Sequence, residues 1–261
     1  MKCLVTADIH YALKQFDWLV EVAPDFDHVI IAGDLLEISS MVDRRAQIVV
    51  VRAYLERIAQ ITRLTVCSGN HDLDGESAAG EKMADWLQDV GDLGVAADGT
   101  SFEIDDTLFT VCPWWDGPEA QDAIARQLAA DAEGRPARWI WVYHAPPAES
   151  PVSWSGSRHY GDTRLSEWIA LYRPDLVLSG HVHQSPFIPG GSWADRIGDT
   201  WVFNTGQQLG PAPCHIAFDT EAEEAAWFSL EGNELLSLAA PLERPIAPLA
   251  SLPGWLRAQN G

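Results

Sequence analysis

The chain has 261 residues, is 47% apolar, and carries 17 Lys and Arg against 38 Asp and Glu, a net charge of -21. That length supports one sizeable core, and a surface so negative opposes nucleic acid as a bulk ligand. No run approaches the roughly 20 apolar residues of a spanning helix, and the start shows no leader pattern, so we expect a cytoplasmic protein without a membrane partner.

Residues 2–7 (KCLVTA) read as a short buried strand, and 12–22 carry a helical pattern. The β-branched run His28 to Ala32 is a second strand, 43–61 a long helix, and Leu64 to Cys67 a third strand. Residues 78–90 (AAGEKMADWLQDV) also fit a helix. Residues 101–112 alternate around Asp105-Asp106, as a hairpin does. An Ala-rich helix is expected at 118–132, then a strand at 138–143 with Trp139 and Trp141 on one face. A helix at 164–172 stops before Pro174, and 175–179 forms the next strand. Strand-like runs follow at 200–204, 214–219 and 225–230, the last two reading as a second hairpin. From Pro241 the chain looks irregular and is expected to pack over the domain through Leu249, Leu252 and Trp255. Alternating short strands and helices indicate an α/β sheet with crossovers. Without repeats or low-complexity linkers, one domain over 1–261 is expected, with its core at about 1–230 and a tail at 241–261. Cys3, Cys67, Cys112 and Cys214 form no CxxC pair and read as buried free thiols.

Polar residues gather where these strands end. Asp8-Ile9-His10 follows the first, Gly33-Asp34 the second, and Gly69-Asn70-His71-Asp72 the third. His144 follows RWIWVY, and Gly180-His181-Val182-His183 follows DLVLS. Ligands of open α/β sheets bind beyond the carboxyl ends of the strands, so these groups have a reason to meet. Imidazole, carboxylate and amide oxygen together suit Mn, Fe, Zn or Ni better than Ca or Cu(I). Asp8 and His10, two apart, point to one side and can serve one metal or straddle a pair, and His181 and His183 have the same relation. Any one of these residues alone is an ordinary loop residue, and the signal lies in the whole set. His28 and His215 lie in strand-like runs and read as structural.

The order D-x-H, GD, GNH[DE], H, GHxH resembles the calcineurin-like metallophosphoesterase family over residues 2 to about 205. The resemblance implies a four-layer αββα sandwich, two mixed β-sheets flanked by helices, with a dinuclear metal centre. It implies that Asp8, His10 and His183 bind one metal, that Asn70, His144 and His181 bind the other, and that Asp34 bridges them. His71 would lie over the substrate. The sequence departs from the pattern at Glu37, where many relatives carry aspartate.

Two such cations, of Mn, Fe or Zn, would be expected to supply a bridging hydroxide able to attack phosphorus in line. Asn70 offers its NH2 to a phosphoryl oxygen, and His71 protonates the leaving alkoxide, with Asp72 or Asp34 as orienting partner. Trp114, Arg158 and His159 are the candidate substrate contacts, Arg158 as a bidentate grip on phosphate or carboxylate. The expected substrate is a small phosphorylated molecule, with diester ahead of monoester. Other HxH hydrolases fit less well, since Gln-Ser-Pro follows His183 and the motif comes late in the chain. A scaffold of the same fold without catalysis is the alternative, though every expected ligand position is filled.

Overall fold

The computed structural model describes residues 1–256. The first half alternates β1 (Lys2–Thr6), α1 (Leu13–Val22), β2 (His28–Ala32), α2 (Arg44–Ala59) and β3 (Arg63–Cys67). A small ribbon of β4 (Gly75–Glu76) and β5 (Lys82–Met83) follows, then the single turn α3 (Asp85–Gln88) and β6 (Val95–Ala96). Next come β7 (Ser101–Ile104), β8 (Thr107–Val111), α4 (Pro118–Ala132), β9 (Arg138–Val142), α5 (Thr163–Tyr172) and β10 (Leu176–Ser179). The chain continues through β11 (Ala194–Ile197), β12 (Thr200–Asn204), β13 (His215–Asp219), β14 (Glu224–Phe228), β15 (Asn233–Ser237) and β16 (Ala247–Pro248).

Two mixed sheets result. The larger has the order β16-β15-β14-β13-β1-β2-β3-β6, parallel from β1 to β6 and antiparallel from β1 out to β16. The smaller is β11-β12-β10-β9-β8-β7, parallel in the middle with antiparallel edges. Side chains alternate across each strand, which decides the layers. Val5, Ile30 and Ala32 meet Phe109, Ile140, Val142 and Phe203 between the sheets. Leu4, Val29 and Ile31 face the other way, onto Phe16 and Leu19 of α1 and Val51 and Leu55 of α2. Trp139 and Trp141 share the outer face of the smaller sheet with Ile124 and Leu128 of α4 and with Leu165 and Ile169 of α5. The fold is thus an αββα sandwich. Ile30 and Ile31 are fully buried on opposite faces, each contributing about 1.5–3 kcal/mol of transfer free energy. Burial on both faces explains the continuous apolar run VIIA after His28.

Both expected hairpins form, as β7–β8 and β13–β14. The helix expected at 78–90 does not; only Asp85–Gln88 is α-helical, running on into a 3-10 turn at Asp89–Leu93. Gly80 takes φ 80° in a turn where Ser77 N–H donates to Glu81 O, and Asp74 N–H reaches Met83 O. The Glu81 carboxylate accepts the N–H groups of Glu119 and Ala120 at 2.7 and 2.9 Å, capping the start of α4. That tertiary cap replaces local helix propensity. In the tail, Ile246 is buried and β16 extends the larger sheet. Leu249 is half-buried, Trp255 donates its indole N–H to Glu224 at 2.7 Å, and Leu252 is exposed, contrary to expectation. Residues 257–261 of the expected tail lie outside the described residues. All four cysteines are buried and unpaired.

Candidate metal centre

The loops that follow β1 and β2 are zipped together. Asp8 N–H donates to Gly33 O, His10 N–H to Asp34 O, and Tyr11 N–H to Leu35 O, at 2.8–3.0 Å. Asp8, His10, Asp34 and His181 all have positive φ, between 48° and 69°. Non-glycine residues adopt that region at a cost, and a cluster of them marks a site where the surrounding structure imposes the conformation. Gly33 is required for a second reason. Its φ is 92°, and a Cβ there would lie 2.3 Å from His144 Nδ1.

These turns aim the donor atoms at two points. His10 Nε2 lies 3.1 Å from His183 Nε2 and 3.7 Å from Asp34 Oδ2, and His183 Nε2 lies 3.3 Å from Asp8 Oδ1. His144 Nε2 lies 3.2 Å from the same Asp34 Oδ2, and His181 Nδ1 lies 2.9 Å from Asn70 Oδ1. Two donor groups, Asp8-His10-Asp34-His183 and Asp34-His144-His181, share Asp34, and a third, His10-Glu37-His71, lies beside the first. Ligands about 2.0–2.2 Å from one cation stand about 3–3.5 Å from each other, so the spacing fits bound metal. His144 supplies the clearest sign. Its Nδ1 is tied to Ala32 O at 2.7 Å, while its buried Nε2 has no hydrogen-bond partner. Burial works against charge on His144, but the Asp34 and Asp8 carboxylates outweigh it and raise its pKa to about 9. Burial and the nearby His144 instead lower His181 to about 4. Burial opposes ionisation of Asp34, but His144 and the His71 amide hold its carboxyl well below the usual range.

The residues behind the donors are arranged differently from expectation. Asp72 does not orient His71. It is fully buried, and its carboxylate accepts the amides of Leu35, Leu36 and Gly69 at 2.8–2.9 Å. It therefore ties the β2 and β3 loops together, and the assignment of Asp72 to catalysis is corrected on that ground. Burial, with the charge of Asp34, raises it to about 8. The His71 backbone N–H donates to Asp34 Oδ1 at 2.8 Å. Its ring Nδ1 faces Glu37 Oε1 at 3.5 Å, and Glu37 Oε2 is 3.3 Å from His10 Nδ1. Glu37 thus fills the place that sequence reasoning gave to Asp72. Its unusual identity within the GD block was the available signal.

A model of the calcineurin-like phosphoesterase family matches residues 1–185. The chain belongs to the calcineurin-like phosphoesterase family. Members hold a dinuclear metal centre, for which the two donor groups are the candidate ligands. No curated protein matches the sequence. Among solved structures, this phosphoesterase-family chain resembles TT1561 of Thermus thermophilus, with 15% identity, TM-score 0.56, and 91% and 98% of the two chains covered. It also resembles the purple acid phosphatase PPD1 of yellow lupin, with 16% identity and TM-score 0.55, covering 92% of this chain and 52% of the lupin one. A third likeness is GAP50, described as the anchor in the inner membrane complex of Plasmodium, with 10% identity, TM-score 0.51, and 91% and 84% covered. At these identities the likeness concerns the fold.

A cavity of about 660 Å³ opens beside the donor groups, lined by Trp114, Trp115, Tyr143, Tyr160, Asp162 and Arg164 together with His181. Trp114 lines the cavity. Its ring is 5.3 Å from that of His181 and 5.7 Å from His144, and its backbone N–H donates to Ser68 Oγ at 2.8 Å. Arg158 and His159 do not line the cavity. Arg158 stacks on the Tyr160 ring at 4.1 Å, in a turn closed by Ser155. His159 Nδ1 is held by Ser153 Oγ and Ser150 O at 3.0 and 3.1 Å. The cavity's arginine is Arg164, which the sequence gave no reason to prefer. His28 is buried against Thr65 at 2.8 Å, and burial lowers it to about 3. His215 packs on Trp18 and Phe228, away from the donor groups. No described helix is long and apolar enough to cross a membrane.

Proposed function

We propose that the chain hydrolyses small phosphoric esters at a two-cation centre, with diesters preferred over monoesters. One observation carries the proposal: Asp34 belongs to both donor groups, which gives two cations one shared carboxylate. Asp8, His10 and His183 would hold the first cation, and Asn70, His144 and His181 the second. The mixed nitrogen and oxygen set favours Mn, Fe or Zn. Bound there, the pair supplies Lewis-acid charge and an activated water.

The protein's own groups complete the chemistry. Asn70 binds through Oδ1 and turns its NH2 toward a phosphoryl oxygen. His71 faces the leaving oxygen with its ring backed by Glu37, and delivers the proton the alkoxide needs. Trp114 shields the His144 and His181 side from bulk water. The buried Asp72 ties the β2 and β3 loops, keeping Asp34 and Asn70 in register.

The test uses the Mn2+-loaded chain with bis(4-nitrophenyl) phosphate and 4-nitrophenyl phosphate. Turnover of both is expected, faster on the diester, lost with chelator and restored by metal. No turnover on either ester overturns the proposal. One observation favours a second reading, an anchoring protein without catalysis: the fold is shared with GAP50. The filled donor set argues against it here.

A further inference from the structure

His181 and His183 are only two residues apart, yet they border different spaces. His181 closes the 660 Å³ cavity, and His183 lines a separate groove of about 420 Å³. A phosphate monoester has one arm and needs one such space. A diester sends two arms from phosphorus.

The two spaces differ in chemistry. In the cavity, Trp115 Nε1 donates to Tyr143 Oη and to Asp162 at 2.7 and 2.9 Å, and the Tyr143 hydroxyl donates to Asp162. The other Asp162 oxygen caps α5 through the amides of Arg164 and Leu165. Arg164 is paired with Glu167 at 2.6 Å. Trp115, Tyr143 and Asp162 are therefore committed to one another, while aromatic surface remains and the carboxylates of Asp116, Asp162 and Glu167 outnumber the Arg164 guanidinium. With three acids to one arginine in the lining, an anionic arm is disfavoured there. An alkylammonium group gains from ring faces and negative charge together. Tyr160 already holds the Arg158 cation against its ring, which leaves the two indoles for a ligand.

On the other side, Gln184, Gln207 and Gln208 spend their side-chain amide N–H groups on Ser155 O, Asp8 O and Ala212 O. What the groove presents is Phe187 with Leu209 and Leu230, the leucines 88% and 73% exposed. Paired exposed leucines beside a reactive centre mark a place for apolar contact, and Glu231 at the rim disfavours an anion.

We propose, building on the phosphoesterase reading above, that the substrate is a phosphodiester with an alkylammonium alcohol on the His181 side and an apolar chain on the His183 side. His71 lies 4.4 Å ring to ring from His10, which lies 4.9 Å from His183, and in this assignment its proton goes to the apolar arm. Water forms the new P–O bond, and the P–O bond to the apolar arm breaks. That arm leaves as an alcohol, and the ammonium alcohol remains as its phosphomonoester.

The test compares hexyl phosphocholine, its uncharged 3,3-dimethylbutyl isostere and methyl phosphocholine, with the Mn2+-loaded full chain and products read by 31P NMR. Replacing the ammonium is expected to lower kcat/KM about tenfold, and shortening hexyl to methyl also about tenfold. Asp116→Asn should shrink the first difference and Leu230→Ser the second, while Val49→Ser on the far surface shrinks neither. Phosphocholine is the expected product. Equal rates on the isostere, equal rates on the methyl ester, or faster cleavage of nucleoside diesters overturns the arm assignment alone. No turnover even of the aryl diester overturns the phosphoesterase reading and the assignment with it.

Discussion

Replacing Glu37 by aspartate draws its carboxylate back by one carbon–carbon bond, about 1.5 Å. In the native site the two oxygens stand 3.3 Å from His10 Nδ1 and 3.5 Å from His71 Nδ1, so one carboxylate faces two rings. The backbone cannot follow the shortened side chain. The buried Gln47 accepts Glu37 N–H at 2.9 Å and donates to Glu37 O at 3.0 Å. Aspartate then reaches at most one ring. Partial burial opposes charge on Glu37, but the Ser39 amide and hydroxyl and the two imidazoles hold its pKa below the usual value, so it is ionised at neutral pH. Carboxylates that orient a ligand imidazole are worth about 10- to 100-fold in metal affinity or activity. Glu37→Asp and Glu37→Gln should therefore each lose that much, the former by reach and the latter by charge. Chelator competition reads the His10 effect, and kcat at saturating metal reads the His71 effect. Values within twofold of wild type in both measurements for both variants would refute this role.

Other expectations follow from the same geometry. His71→Ala should keep its metal and lose about 10²- to 10⁴-fold in kcat; unchanged kcat across several esters would exclude it as the acid. Gly33→Ala combines a positive φ with a clash on His144, a cost of about 2 kcal/mol. A melting scan should show Tm lower by about 4–8 °C, and an unchanged Tm contradicts the required turn. Metal binding should depend on pH with a definite sign. His144 titrates near 9 in the metal-free chain and must lose its proton to become a ligand, so affinity weakens as pH falls below that value, roughly tenfold per unit. Calorimetry in buffers of different ionisation enthalpy reads the released proton, and identical heats would count against it.

The donor set was legible in the sequence because it needs only two facts, where each apolar run ends and which residues follow. Strand ends sit on one edge of their sheet, so Asp8, Asp34, Asn70, His144 and the two histidines of GHVH were bound to converge once the sheets stacked. What lies one step behind the donors was not legible. Asp72 adjoins His71 in sequence, but the turn that points His71 outward points Asp72 inward onto backbone amides. Arg158 and Arg164 are six residues apart, and which one faces the cavity depends on how the 150–162 loop packs on α5. The ribbon at β4 and β5 was missed because its stability comes from Glu81 capping a helix 38 residues later. Strands β11 and β15 carry too little alternation to announce themselves.

The most direct test of the account is the metal content of the Mn2+-loaded chain, measured by mass spectrometry beside the protein concentration. Two ions per chain are expected for the wild type, and fewer than one for Asp34→Ala, because both donor groups lose their shared carboxylate. One ion per chain in the wild type, or two retained by Asp34→Ala, would contradict a centre built on Asp34.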